Sequence, residues 1–198
     1  MFSIEKYTVV KGVLSNDLLA FCQQYCSFQE RRYPKSNFDN PDNKAHWEYA
    51  DPFMETLLVK LLPTFEQHTE LELIPAYSYY RIYKSGDAMA PHKDRAPCEI
   101  TCSIHLGHDY KGMPDNYEWY LWIENKERND IPVPLNAGDA IIYRGMEVYH
   151  KREVFAVPHD AWHLQVFLSY VEKGGEMDHL KYDKRSGLGY KGAYHPVR

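Results

Sequence analysis

Little in this sequence points to a membrane, a disulfide framework or a nucleic acid. No apolar run approaches the roughly 18 residues needed to cross a bilayer, and no charged-then-apolar leader opens the chain, so a soluble, cytoplasmic protein without a membrane partner is expected. The 198 residues contain only 4 cysteines, at Cys22, Cys26, Cys98 and Cys102. The first pair is spaced for one helix face and the second for one strand face. A zinc site or disulfides would suit such spacings, but both pairs lie in strongly apolar patterns, which favours reduced thiols in the core. The formal charge is only -5 and the basic residues form no long run, so nothing advertises a nucleic-acid surface. Internal repeats and low-complexity tracts are also missing.

What the chain does have is aromatic surface. Aromatic residues make up 15% of it, with 17 tyrosines, too much apolar ring area for a disordered chain and typical of one rich in strands. Its length suits one domain with a substantial core. We expect a short strand over Tyr7 to Val10 and a helix capped by Ser15 that runs to about Phe28, with Leu18, Leu19, Cys22, Tyr25 and Cys26 on its buried stripe. Residues Gln29 to Tyr49 are polar and turn-rich and read as a long loop. Asp51-Pro52 marks a second helix start, with Leu57, Leu58, Leu61 and Leu62 on one side and Pro63 kinking or restarting it.

Beyond Glu70 β-branched and aromatic residues alternate between turn signals. Strands are expected near Leu71 to Tyr83, Glu99 to Leu106, Glu118 to Ile123, Ala140 to Arg144, Val148 to Val154 and His163 to Val171. Helices followed by many short strands suggest a mainly β sandwich or barrel, with the N-terminal helices packed on one outer face. The division expected is a helical part over about 1-69, a β core over about 70-172 and a tail over 173-198, whose tyrosines would lie over the barrel.

The chemistry centres on Tyr83-Lys84-Ser85-Gly86-Asp87-Ala88-Met89-Ala90-Pro91-His92-Lys93-Asp94. If His92 to Asp94 are extended, an imidazole and a carboxylate two residues apart point the same way and can share one cation. The second strand, introduced by Gly138-Asp139, leads to His150. Two imidazoles and a carboxylate with open positions form the facial set of non-haem Fe(II) oxygenases. His105, His108, His159 and His163 compete with His150 for the third position: His105 and His108 lie in the strand and loop directly after the first two candidate ligands, His159 reads as a turn residue after Pro158, and His163 fits a structural or a functional role.

The order Tyr83-x-x-Gly86, His92-x-Asp94, a strand Ile100 to Leu106 with His108-Asp109-Tyr110-Lys111-Gly112 after it, then Gly138-Asp139-Ala140 and His150 resembles the Fe(II)- and 2-oxoglutarate-dependent dioxygenases, on the branch of the prolyl 4-hydroxylases. The resemblance spans about residues 70 to 171. It implies a double-stranded β-helix, or jelly roll, with His92, Asp94 and His150 holding Fe(II), and 2-oxoglutarate and dioxygen as co-substrates. It further implies hydroxylation of a protein side chain such as proline, or of a small amino-acid-like metabolite. A cupin-like binding module, or a metal-dependent isomerase or hydrolase on the same barrel without 2-oxoglutarate, is the alternative.

Two departures from the family stand out. Gly112-Met113-Pro114-Asp115 replaces the Gly-Gly-Glu that many relatives carry after the acidic loop. Relatives also place an Arg or Lys about ten residues after the distal histidine, to bind the far carboxylate of 2-oxoglutarate. Here that position is Asp160, and the strand opens Trp162-His163-Leu164-Gln165. Arg152, two residues past His150, would face inward and need an anion or carboxylate partner, and is expected to take the anchor role opposite Gln165. Tyr83 is expected as a hydroxyl donor to the co-substrate, with His163 beside it and Arg81 as the reserve cation.

Overall fold

The computed structural model describes residues 2–33 and 45–190. After a one-turn helix α1 (Phe2–Glu5) and strand β1 (Tyr7–Val10), helix α2 (Asn16–Arg32) starts where the Ser15 side chain accepts the Leu18 amide. Helix α3 (Pro52–Thr69) follows strand β2 (His46–Tyr49). Its first turn is capped by Asp51, which accepts the Met54 amide at 3.0 Å. Pro63 does not restart this helix, which runs through it to Thr69. Pro63 is exposed, as is Val59 four residues earlier, so the carbonyl that loses its intrahelical donor sits on the solvent side.

Eight strands build the barrel: β3 (Leu73–Lys84), β4 (Met89–His92), β5 (Ile100–Asp109), β6 (Leu121–Glu124), β7 (Asp130–Val133), β8 (Ala140–Arg144), β9 (His150–Arg152) and β10 (Trp162–Glu172). They form two antiparallel sheets. The larger has the order β1-β8-β5-β10-β3-β2 and the smaller β4-β9-β6-β7. β1 and β2 therefore extend the larger sheet at its two edges, and the rest is the jelly roll that the family resemblance implies.

The period of two decides what each face of the larger sheet does. On β3 and β10, Tyr80, Ile82, Leu164, Val166 and Leu168 point outward and pack with Cys22 and Cys26 of α2 and Met54, Leu58, Leu61 and Phe65 of α3. The alternate residues face into the barrel. All four cysteines are free and buried, in keeping with core thiols. Burial pushes Cys22 up to about 11 and Cys98 up to about 12, which keeps both protonated.

Several boundaries differ from expectation. The loop expected over Gln29 to Tyr49 is interrupted from both ends, because α2 continues to Arg32 and His46–Tyr49 pair with β3; residues 34–44 of that stretch lie outside the described residues. β4 and β7 were not expected. Both are four-residue strands whose Pro91 and Pro132 and polar neighbours mask the alternation. β9 is shorter than Val148 to Val154, ending at Arg152 before an irregular stretch. The tail is tied to the barrel by Asp183, which accepts both ends of the Arg95 fork, at 2.9 and 2.6 Å, and the Tyr49 hydroxyl at 2.5 Å, while Tyr190, one of the tyrosines expected to cover the barrel, is exposed. Residues 191–198 lie outside the described set.

Candidate metal centre

His92 is the last residue of β4 and His150 the first of β9, and the two are directly paired across the smaller sheet. Asp94 lies just past β4 and not within it, held by its amide donating to the Gly145 carbonyl at 2.8 Å. One ligating atom from each of the three lies within 4.8 Å of the others. The Asp94 Oδ1 atom is 3.6 Å from His92 Nε2 and 3.5 Å from His150 Nε2. Each imidazole has its other nitrogen at a backbone carbonyl, His92 Nδ1 at 2.9 Å from Ala90 O and His150 Nδ1 at 3.2 Å from Val148 O. A carbonyl only accepts, so Nδ1 carries a proton and both Nε2 atoms are turned toward Asp94, the orientation a divalent cation requires.

The carboxylate is prepared in the same way. Thr101 on β5 donates its hydroxyl to Asp94 Oδ2 at 2.7 Å, leaving Oδ1 toward the histidines. Burial alone would raise the Asp94 pKa, but the contacts with His150, His92 and Thr101 outweigh it and hold the group well below the usual carboxylate range. Gly145 makes the approach possible: a Cβ there would sit 2.3 Å from the Cys98 carbonyl oxygen and 2.5 Å from Asp94 Oδ2. The donors thus fit a hard-to-borderline divalent ion with positions left over, such as Fe(II). Neither Thr101 nor Gly145 stands out in the sequence, because their role depends on the β5–Asp94 approach.

A cavity of about 210 Å³ opens on these three residues and is walled by Tyr77, Tyr79, Arg81 and Tyr83 of β3, Phe167 and Ser169 of β10, and Tyr143 of β8. Of the residues expected at a co-substrate site, Arg81 and Tyr83 line it. Arg81 is already compensated by Asp87, 3.0 Å away. Arg152, Gln165 and His163 come together with one another, but none of them lines the cavity. Arg152 donates to the Trp119 carbonyl at 2.7 Å and to Gln165 Oε1 at 3.2 Å, its guanidinium carbon is 5.9 Å from the Tyr83 ring centre, and its buried Nε has no partner. It has no carboxylate partner among the described residues, and burial lowers its pKa. His163 donates Nε2–H to Gln165 and accepts from the Tyr110 hydroxyl, at 2.9 and 2.8 Å. His105 stacks on His163 with ring centres 4.4 Å apart and accepts from His108 at 3.1 Å. These histidines form a separate stack and do not join the metal trio, while His159 sits in a turn.

No protein-family model and no curated protein matches this sequence. Solved structures do. A prolyl-4-hydroxylase of Pseudomonas putida is 14% identical, with 87% of this chain and 96% of that one covered at a TM-score of 0.65. The non-haem alpha-ketoglutarate-dependent epimerase SnoN of nogalamycin biosynthesis is 13% identical over 100% of this chain and 90% of that one, at 0.71. HygX from Streptomyces hygroscopicus, solved with nickel and 2-oxoglutarate bound, is 10% identical over 85% and 83%, at 0.60. The chain therefore has the jelly-roll fold of the 2-oxoglutarate–Fe(II) oxygenases, including the prolyl 4-hydroxylases.

Proposed function

We propose that the protein is an Fe(II)- and 2-oxoglutarate-dependent oxygenase that hydroxylates either a protein side chain such as proline or a small amino-acid-like metabolite. The observation that carries this reading is the convergence of two Nε2 atoms and one ionised carboxylate oxygen at the mouth of a cavity, each ligand already oriented by a second hydrogen bond. His92, Asp94 and His150 would hold the iron, which supplies the activation of dioxygen coupled to decarboxylation of the keto acid. The protein contributes binding, orientation and exclusion of water.

Arg152 supports the co-substrate. A buried guanidinium without a carboxylate is costly unless an anion meets it, and the far carboxylate of 2-oxoglutarate is such an anion. Tyr83 lines the metal cavity and has the Arg152 guanidinium carbon 5.9 Å from its ring centre, so this wall of the cavity lies beside that cation. The remaining walls, Tyr77, Tyr79 and Phe167, are aromatic and suit one residue-sized, largely apolar group as substrate.

The test is succinate release by the purified protein with Fe(II), 2-oxoglutarate and air. Slow release above that of a His92→Ala protein is expected even without substrate. No release, joined with no Fe(II)-dependent uptake of 2-oxoglutarate, would favour a metal-dependent isomerase or hydrolase on the same barrel.

A further inference from the structure

Thr101 on β5 and Tyr143 on β8 are direct partners across the larger sheet, and both turn into the cavity beneath the metal trio. Thr101 bonds Asp94. Tyr143 does the corresponding thing to His150: its hydroxyl lies 3.4 Å from His150 Nε2, its only hydrogen-bond partner among the described residues. The ring is packed against Leu121, Ile123, Ile141 and Val148 and is 1% exposed, so it has little room to swing away.

This contact cannot survive metal binding. His150 Nδ1 carries the proton, so Nε2 is the atom that would ligate, and a ligated nitrogen has no lone pair left to accept from the phenol. A buried hydroxyl deprived of its acceptor costs stability unless another acceptor takes its place. With a metal on Nε2, the acceptors left within reach would be the atoms of the metal's other ligands. We propose that Tyr143 is a co-substrate-binding residue, donating its phenolic hydrogen bond to the metal-bound oxygen of the keto-acid end of 2-oxoglutarate. This rests on the oxygenase reading above. It gives the co-substrate a hydrogen bond at its near end, distinct from the charge at its far end.

The experiment compares Tyr143→Phe with the unsubstituted full-length protein under anaerobic conditions, titrating first Fe(II) and then 2-oxoglutarate by calorimetry and visible absorbance. Phe keeps the packed ring and removes only the hydroxyl. Fe(II) affinity is expected to stay within about 2-fold, while 2-oxoglutarate binding weakens roughly 10-fold, the size of a hydrogen bond to a charged acceptor. The charge-transfer maximum of the chelate should also move. Unchanged 2-oxoglutarate affinity overturns the assignment, and so does a loss of Fe(II) affinity of the same size, which would make Tyr143 a positioning residue for His150. If the unsubstituted protein takes up no 2-oxoglutarate in the presence of Fe(II), the oxygenase reading itself fails, a result visible without the variant.

Discussion

Replacing Arg152 with Met separates a ligand-binding arginine from a structural one. In the ligand-free protein Arg152 is 4% exposed and its guanidinium donates to two neutral acceptors, Trp119 O and Gln165 Oε1. Met would orphan the Trp119 carbonyl, at a cost of about 1–3 kcal/mol. It would also remove a desolvated, uncompensated cation, whose burial penalty is on the order of several kcal/mol. The two nearly cancel, so the metal-free Arg152→Met protein should unfold at the same temperature as the parent or slightly higher. Its 2-oxoglutarate affinity should drop sharply, because truncating one side of a desolvated charge pair costs about 2–5 kcal/mol, or roughly 30- to several-thousand-fold. Differential scanning calorimetry and anaerobic titration read the two quantities. A variant that is strongly destabilised yet binds 2-oxoglutarate normally would refute the reasoning, since Arg152 would then be a core residue whose charge is satisfied in the free protein.

Other consequences can be measured in the same way. Arg81→Ala should lower stability by about 3 kcal/mol in denaturant titrations, because it leaves the buried Asp87 carboxylate unpaired, and should weaken 2-oxoglutarate less than Arg152→Met does; the reverse order would put the anchor on β3. Gly145→Ala should weaken Fe(II) binding about 10- to 100-fold, as the added Cβ pushes Asp94 from its place; unchanged Fe(II) affinity would show that Asp94 is not a ligand in this position. Burial pushes His105 down to about 4, from an ordinary value of 6.5. Above 6.5 it is neutral folded or unfolded. Between 6.5 and 4 only the unfolded chain takes the proton, so metal-free stability should fall across this window by up to about 3 kcal/mol, and further for His163, whose pKa is also lowered by burial. A stability profile flat from pH 6.5 to 4 would contradict this.

The sequence made the fold legible where a single periodicity governed an element. α2 and α3 showed their caps, at Ser15 and Asp51, and β3 and β10 showed their alternation because one face meets the helices and the other the cavity. His92 and Asp94 were legible as a pair from their spacing, His150 as their partner from the family resemblance, and Arg152 opposite Gln165 from strand parity. Short polar strands such as β4 and β7 were not, since four residues with a proline carry too little pattern. Nor were contacts made only by long-range folding: Thr101 on Asp94, Tyr143 on His150, and the Arg95–Asp183 fork across 88 residues depend on register and chain crossing that no local stretch encodes. Arg152's absence from the lining of the metal cavity belongs to the same class.

Anaerobic addition of 2-oxoglutarate to the Fe(II)-loaded protein tests the central claim most directly. The account expects a weak visible charge-transfer band that saturates at one equivalent and is missing from His150→Ala, whose fold should persist because the histidine lies at the cavity end of a three-residue strand. Failure of the unsubstituted protein to develop the band, or an undiminished band in His150→Ala, would contradict the assignment of His92, Asp94 and His150 as the iron site of an oxygenase.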